Sequence, residues 1–293
     1  MPPDILYSAL KDDLYFPCKR GDFFSAGVPK FETALCAEMA RLSYCRQESS
    51  FAFDQNKIRR VLGLVGFADC QFFESKTDPR SGGTHAFLAL KRDGDKSQQL
   101  AILAFRGTDK DDPTDLGDDA DAILVPWENA GKVHQGFAKA LGEVRTELDT
   151  ALRTIKCKIL FTGHSLGAAL ATLLASTQKP NLLCTIGSPR VGNAEFVATL
   201  GDIESSRFVD CCDIVPRMPP QLMGYEHVGE PFYIDRNRHL TFNPSDDFIS
   251  EDRVLAEESY LVNYAWKIGN VGVRDLADHA PINYVTSLTA SQS

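Results

Sequence analysis

Residues 157 to 210 alternate short apolar runs with stretches of helical periodicity, and this alternation restricts the fold more than any other feature of the chain. Apolar runs at 157–163, 182–188 and 207–210 predict three buried strands, while 166–177 and 194–201 predict the helices between them. Such alternation is typical of a mostly parallel sheet covered by helices on both faces. The sequence therefore predicts an α/β fold.

The flanking segments add helices and antiparallel strands to this pattern. Leu35, Met39 and Leu42 recur at helical spacing and predict one buried face of a helix within 30–44. Residues 85–108 predict two apolar strands joined by a turn at Asp93 and Gly94, so part of the sheet should be antiparallel. Three further elements are predicted: a helix at 136–154, a strand pair around 231–242, and a last helix after Pro281.

Size and charge restrict the classes of function. A chain of 293 residues, 43% of them hydrophobic, is long enough for one large core, so a single domain over 1–293 is expected. The net charge of −9, without clustered Lys or Arg, argues against a nucleic-acid partner. No run approaches the roughly 20 apolar residues that span a bilayer.

The first thirty residues lack the pattern of a secretory signal. The chain is therefore expected to be cytoplasmic, or exported with a leader that is absent from it. The eight cysteines show no C-x-x-C spacing, which argues against a structural zinc, and we expect mostly reduced, buried thiols.

A G-x-S-x-G pentapeptide, GHSLG at 163–167, closes one predicted strand and opens the next predicted helix. A sharp strand-to-helix turn in this setting exposes a serine hydroxyl at the end of the sheet, which makes Ser165 a candidate nucleophile. Gly163 and Gly167 suit such a turn because a close helix–strand approach excludes side chains. The structural alternative is a glycine-rich turn in which Ser165 only caps the helix.

A serine nucleophile needs a histidine base, and the base needs a carboxylate. After a turn of this kind, the acid comes next along the chain and the histidine comes last. Asp213 is the preferred acid because it lies just beyond a strand end, and His279 is the preferred base because it precedes a proline-started helix. Other residues remain as alternatives: the acids Asp202, Asp210 and Asp235, and the histidines His227 and His239.

Six separate motifs follow one another along the chain: FRGT (105–108), VHQGF (133–137), GHSLGAALA (163–171), GSPRVGN (187–193), DIVPRMPP (213–220) and DHAPINY (278–284). The motifs and their order resemble those of the fungal-type, or class 3, triacylglycerol lipases. The resemblance runs from about residue 30 to the end, which leaves 1–29 as an N-terminal extension.

The resemblance implies an α/β-hydrolase fold, a Ser165–Asp213–His279 triad, and an oxyanion hole formed at Thr108 and Leu166. Backbone N–H groups that point at a developing oxyanion stabilise it by roughly a few kcal/mol. An ordinary strand-end threonine is the alternative for Thr108. His164 and Asn193 also match the motifs, but we expect His164 to support the turn and Asn193 to cap the following helix.

The chain departs from the family in the lid-like segment 109–121, which holds seven aspartates and one lysine where family members carry an amphipathic lid. Strong interfacial activation is therefore not expected. The simplest interpretation is a solvated loop. A calcium site is the alternative, although the usual spacing of its ligands is missing. Asp119 matches the lid aspartate that supports the oxyanion-hole hydroxyl in the family, and the apolar run 123–127 could contact an acyl chain or anchor the core.

These observations predict a serine carboxylic-ester hydrolase that acts on acylglycerols without a metal or an organic cofactor, with transient contact to a lipid interface. An esterase on short-chain or aromatic, feruloyl-type esters is the alternative within the enzymes. A catalytically inactive binding protein with a hydrolase fold is the alternative of another class.

Overall fold

A computed structural model of the chain describes residues 5–48, 50–75, 83–92, 99–108, 122–128 and 131–291. The strands are β1 Asp69–Glu74, β2 His85–Lys91, β3 Leu100–Phe105, β4 Leu124–Pro126, β5 Lys132–His134, β6 Lys158–His164, β7 Leu182–Ile186, β8 Ser205–Asp210, β9 Pro231–Ile234 and β10 Leu240–Phe242. The helices are α1 Lys11–Tyr15, α2 Glu32–Leu42, α3 Gln55–Leu64, α4 Gln135–Gly142, α5 Arg145–Leu152, α6 Leu166–Gln178, α7 Ala194–Ala198, α8 Asp246–Asn263, α9 Arg274–Ala277 and α10 Pro281–Ala290.

Eight strands form one sheet in the order β1-β2-β3-β6-β7-β8-β9-β10. The strands from β3 to β9 in this order run parallel, whereas β1, β2 and β3 pair antiparallel and β10 pairs antiparallel with β9. This confirms the predicted α/β fold with antiparallel additions. The turn predicted at Asp93 and Gly94 lies outside the described residues.

Helices bury both faces of the sheet, which explains why its central strands are apolar at successive positions. Along β3, Ile102 and Ala104 face the core shared with α2 and α10, while Leu103 and Phe105 face the core shared with α4, α5 and α6. Parallel strands end at the same edge of the sheet. The segments that follow β3, β6, β7 and β8 therefore come together there.

The structure corrects one predicted element and adds others. The helix predicted over 136–154 is two helices, α4 and α5, because the chain turns at Val144 and buries that side chain in the core. The sequence did not predict α3, α8 or β1. Among the described helices, none has both the length and the apolar composition that a membrane crossing requires.

Candidate active site

Ser165 occupies the sharp turn between β6 and α6. Its backbone has φ 59° and ψ −129°, an unfavourable conformation for a residue with a side chain, and its N–H donates to the Ile186 carbonyl at 3.2 Å. The side chain makes no capping hydrogen bond to α6. The alternative in which this serine serves as a helix cap therefore finds no support in the geometry.

The two glycines of the turn lie where α6 closely approaches β3 and β6. A Cβ on Gly163 would collide with the backbone of Gly167, and a Cβ on Gly167 would collide with the Phe105 carbonyl oxygen at the end of β3. The first turn of α6 therefore lies directly against the ends of β3 and β6. This contact depends on hydrogen in place of a side chain at both positions.

Asp213 and His279 form a buried pair near the same edge of the sheet. His279 Nδ1 lies 2.8 Å from Asp213 Oδ2 and 3.0 Å from Oδ1, and the two residues are 2% and 0% exposed. Asp213 also accepts hydrogen bonds from the Tyr284 hydroxyl at 2.5 Å and from the Val215 N–H at 2.9 Å. With Nδ1 committed to a carboxylate, His279 has only Nε2 left to exchange a proton with another group.

The pair lies beside the turn that carries Ser165. Gly187 directly follows Ile186, the residue whose carbonyl binds the Ser165 N–H. A Cβ on Gly187 would stand 3.0 Å from Asp213 Oδ2 and 3.1 Å from His279 Cε1. The ends of β6, β7 and β8 thus bring Ser165, Asp213 and His279 into one region.

The alternative acids are not part of this arrangement. Asp210 Oδ1 and Oδ2 both accept from Arg238 Nη1 at 2.7 Å. Asp235 accepts from the N–H groups of Asn237 and His239 in the β9–β10 turn, and Asp202 is exposed.

The alternative histidines lie elsewhere too. His239 precedes β10 rather than lying within a strand, and its side chain is largely exposed. His227 Nε2 donates to the Pro216 carbonyl at 2.7 Å, and burial holds the pKa of His227 well below its ordinary value.

Thr108 and Leu166 lie at adjoining ends of β3 and α6. Leu166 is the first residue of α6, so its N–H is among the donors that have no acceptor within the helix. Within the described residues, the Thr108 hydroxyl oxygen is buried and has no hydrogen-bond partner. A buried hydroxyl without a hydrogen-bond partner costs free energy of folding. Such a hydroxyl is suited to donate a hydrogen bond to an oxygen atom of a bound ligand.

Both ring nitrogens of His164 are engaged beside the candidate triad. Its Nδ1 lies 2.7 Å from the Tyr44 hydroxyl and its Nε2 lies 2.8 Å from the His279 carbonyl oxygen. Burial, and then the proximity of His279, hold the pKa of His164 well below its ordinary value. The expected supporting position of His164 agrees with these contacts. Asn193 caps α7 as predicted, since its side chain accepts from the Phe196 N–H at 3.1 Å.

The sequence did not predict that Tyr44 and Tyr284 contact the candidate site. The two hydroxyls contact His164 and Asp213 from positions 120 and 71 residues away in the chain. A tyrosine near a helix end carries no local signal that separates such a contact from ordinary core packing.

Asp119 and the remainder of 109–121 lie outside the described residues, as does the calcium alternative that rests on them. The apolar run that follows divides into two parts. Trp127 anchors the core, where its Nε1 donates to Ser176 Oγ at 3.0 Å, while Ile123 is more than half exposed.

The cysteines are thiols in the structure, and five of the eight are buried. Cys211 and Cys212 lie with Asp278 close enough together to share a metal ion. Asp278 is already engaged, however, since it accepts from Tyr7, from the Cys212 N–H and from Arg274. The Arg274 guanidinium supplies the positive charge beside that carboxylate.

Comparison with known proteins agrees with this architecture. A family described as lipase (class 3) matches residues 102–223. A lipase from Rhizomucor miehei is 42% identical over 132 residues, which is 39% of this chain and 36% of that protein. The secreted mono- and diacylglycerol lipase 1 of Fusarium solani is 39% identical over 115 residues, which is 35% of this chain and 34% of that protein.

A solved triacylglycerol lipase, whose catalytic centre is a serine-protease triad, superposes with a TM-score of 0.54 at 26% identity over 82% of this chain and 93% of that chain. The matched part of this chain spans about a third of the length of the two curated relatives. The resemblance inferred from the six motifs is confirmed. Residues 102–223 match the class 3 lipase family, and the described sheet and helices have the α/β-hydrolase fold of the solved lipase.

Proposed function

We propose that the chain is a serine carboxylic-ester hydrolase that cleaves acylglycerols through an acyl-enzyme. The observation that carries the proposal is the buried Asp213–His279 hydrogen bond beside the turn that holds Ser165. The family supports it, since its named relatives act on mono-, di- or triacylglycerols.

In the first half of the reaction, Ser165 Oγ attacks the ester carbonyl carbon while His279 Nε2 takes the hydroxyl proton. Asp213 holds Nδ1–H, which fixes the tautomer and stabilises the imidazolium that forms. The Leu166 N–H and the Thr108 N–H and hydroxyl stabilise the oxyanion. The C–O bond to glycerol then breaks, and the His279 proton passes to the leaving alcohol.

In the second half, His279 Nε2 takes a proton from water, and the hydroxide oxygen attacks the acyl carbon. The bond to Ser165 Oγ breaks and the serine recovers its proton from His279, which releases the carboxylic acid. Every proton that leaves one oxygen is returned to another. Ser165, His279 and Asp213 end as they began.

The first experiment measures hydrolysis of p-nitrophenyl esters from acetate to palmitate, together with fatty-acid release from a triacylglycerol emulsion. The wild-type chain should be active, and Ser165→Ala should lower kcat by at least about a thousandfold. Ser259→Ala, which changes an exposed serine on α8, is the matched control and should retain wild-type activity.

The outcomes separate the candidate functions. Activity on long chains and on the emulsion supports an acylglycerol lipase. The acidic segment 109–121 is the one feature that favours the alternative esterase, and activity restricted to short or aromatic esters would support it. No Ser165-dependent release from any ester would contradict an enzyme and leave the inactive binding protein.

A further inference from the structure

His164 bridges two parts of the candidate site that are distant in the chain. Tyr44, two residues beyond the end of α2, contacts one nitrogen of its ring, and the backbone of His279 contacts the other. The rings of His164 and His279 lie 4.4 Å apart between centroids, at an interplanar angle of 35°. His164 is buried, so both ring nitrogens must be satisfied within the protein.

The contacts settle which nitrogen of His164 carries the proton. A backbone carbonyl oxygen only accepts hydrogen bonds, so Nε2, which faces the His279 carbonyl, must be the N–H. The low pKa of His164 keeps the ring neutral, so Nδ1 is an acceptor and the Tyr44 hydroxyl donates to it. The hydrogen bonds therefore run in one direction, from Tyr44 through His164 to the His279 carbonyl.

Tyr44 also contacts the strand end that precedes Thr108. A Cβ on Gly107 would collide with the Tyr44 hydroxyl oxygen and lie 2.7 Å from the His164 carbonyl oxygen. The space beside Gly107 is thus filled by the hydroxyl that orients His164. Tyr44 thus contacts the segment after β3 and the end of β6, and His164 extends this chain of contacts to the loop that carries His279.

We propose that Tyr44 and His164 are positioning residues for His279, a role that rests on the proposed function. Asp213 holds the imidazole of His279 through Nδ1, a contact with the side chain alone. The His164 N–H holds the same residue by its main-chain carbonyl and thereby fixes where Nε2 lies relative to Ser165 Oγ. Reaction rates depend steeply on such placement, since an error of about 1 Å can cost on the order of a hundredfold.

The neutral state of His164 matters for the same step. His279 becomes positively charged when it takes the serine proton, and a second cation stacked against it would oppose that charge. Among the described residues, Tyr44 and Tyr284 contact the His164 ring and Asp213 contacts the His279 ring. Asp213 is the single carboxylate among these contacts, and it binds Nδ1 of His279 rather than His164.

The test compares His164→Gln with His164→Met. A glutamine amide carries an acceptor and a donor on one planar group, as the neutral imidazole does, whereas methionine has a similar length and no N–H. With a soluble p-nitrophenyl ester, we expect His164→Met to lower kcat by roughly 10- to 100-fold with KM within about twofold of wild type. His164→Gln should recover kcat to within about threefold of wild type.

Inactivation by diethyl p-nitrophenyl phosphate separates positioning from loss of folded protein. The amplitude of p-nitrophenolate release counts competent sites, and its rate constant reports how well His279 activates Ser165. We expect full amplitude for both variants, with a rate constant that falls in His164→Met by the same factor as kcat. Tyr44→Phe should also slow the reaction, and adding it to His164→Met should cause little further loss because both act through one contact.

Several results would overturn the proposal. One is a His164→Met chain with wild-type kcat, and another is a His164→Gln chain as slow as His164→Met. A third is a reduced amplitude with an unchanged rate constant, which indicates a purely structural role. If the wild-type chain neither hydrolyses esters nor reacts with the phosphate, the proposed function itself fails. Wild-type activity together with unaffected variants contradicts only the positioning role.

Discussion

Ser165 keeps a backbone conformation that a residue with a Cβ adopts at a cost. Its φ of 59° lies in a region that glycine enters readily, and other residues there are destabilised by about 1–3 kcal/mol. Gly163 and Gly167 relieve crowding around the turn but cannot replace the serine, whose side chain the proposed reaction needs. The strain is therefore local to one residue and can be measured there.

Replacing Ser165 by Gly or Ala separates this strain from catalysis. Both variants should be inactive, but Ser165→Gly should unfold at higher denaturant than Ser165→Ala, by about 1 kcal/mol in the free energy of unfolding, because only glycine is relaxed at positive φ. Ser176, inside α6, provides the control. There the Gly variant should be less stable than the Ala variant by about 1 kcal/mol. Equal stability of the two Ser165 variants would contradict the strain.

Single residues of the site differ in how far the sequence could predict them. Ser165 carries a local signal, because its flanking glycines and its place between a strand and a helix can be recognised within a few residues of sequence. Asp213 and His279 were preferred over Asp210 and His239 from chain order and from their places, beyond a strand end and before a proline-started helix. Tyr44 contacts His164 from 120 positions away, and only the folded sheet brings the two together.

At the scale of elements, prediction worked where an element has one dominant face or is buried throughout. The strands β6 and β7 and the helix α6 were predicted because their apolar runs are uninterrupted. The 18-residue helix α8 was missed because its outer face mixes exposed apolar residues such as Val254 and Leu261 with acids, which blurs the periodicity. Its buried face, Asp252, Ala256 and Tyr260, is partly polar.

The contact between α6 and β3 gives a prediction for a whole element. Gly167→Ala should lower the free energy of unfolding by about 1–3 kcal/mol, because the new methyl group overlaps the Phe105 carbonyl and pushes the helix start away from the strand. It should also lower kcat, since the Leu166 N–H moves with the helix. Gly142→Ala, at the end of α4 with open space around it, is the control and should be neutral or slightly stabilising. Urea unfolding monitored by circular dichroism measures the stability of both variants, and hydrolysis of a p-nitrophenyl ester measures kcat. Equal stabilities would show that the contact tolerates a methyl group.

Across the whole molecule, the alternation of strands and helices predicted the parallel centre but not the order of the eight strands. The pairing of β8 with β9, for example, joins residues separated by irregular chain that carries no periodic signal. The same long-range packing removes histidines from water. Burial holds the pKa values of His164 and His227 well below their ordinary value and lowers the pKa of His85 to about 3.

Because these histidines are buried and neutral, we expect acid to destabilise the fold at pH values well above those at which carboxylates titrate. His85 illustrates the sign: it stays neutral when folded because burial and Arg106, whose Nη2 donates to Nδ1 at 2.6 Å, oppose protonation, with Glu74 3.6 Å from Nε2. The unfolded chain binds a proton near pH 6.5, so the contribution of His85 is complete above that pH and is lost as pH falls toward 3. From pH 7.5 to 5, wild type should lose about 2 kcal/mol relative to His85→Gln, which keeps an acceptor for Arg106. Urea unfolding at the two pH values measures this difference. A stability gap between the two proteins that does not change with pH would mean that His85 titrates alike in the folded and unfolded chains.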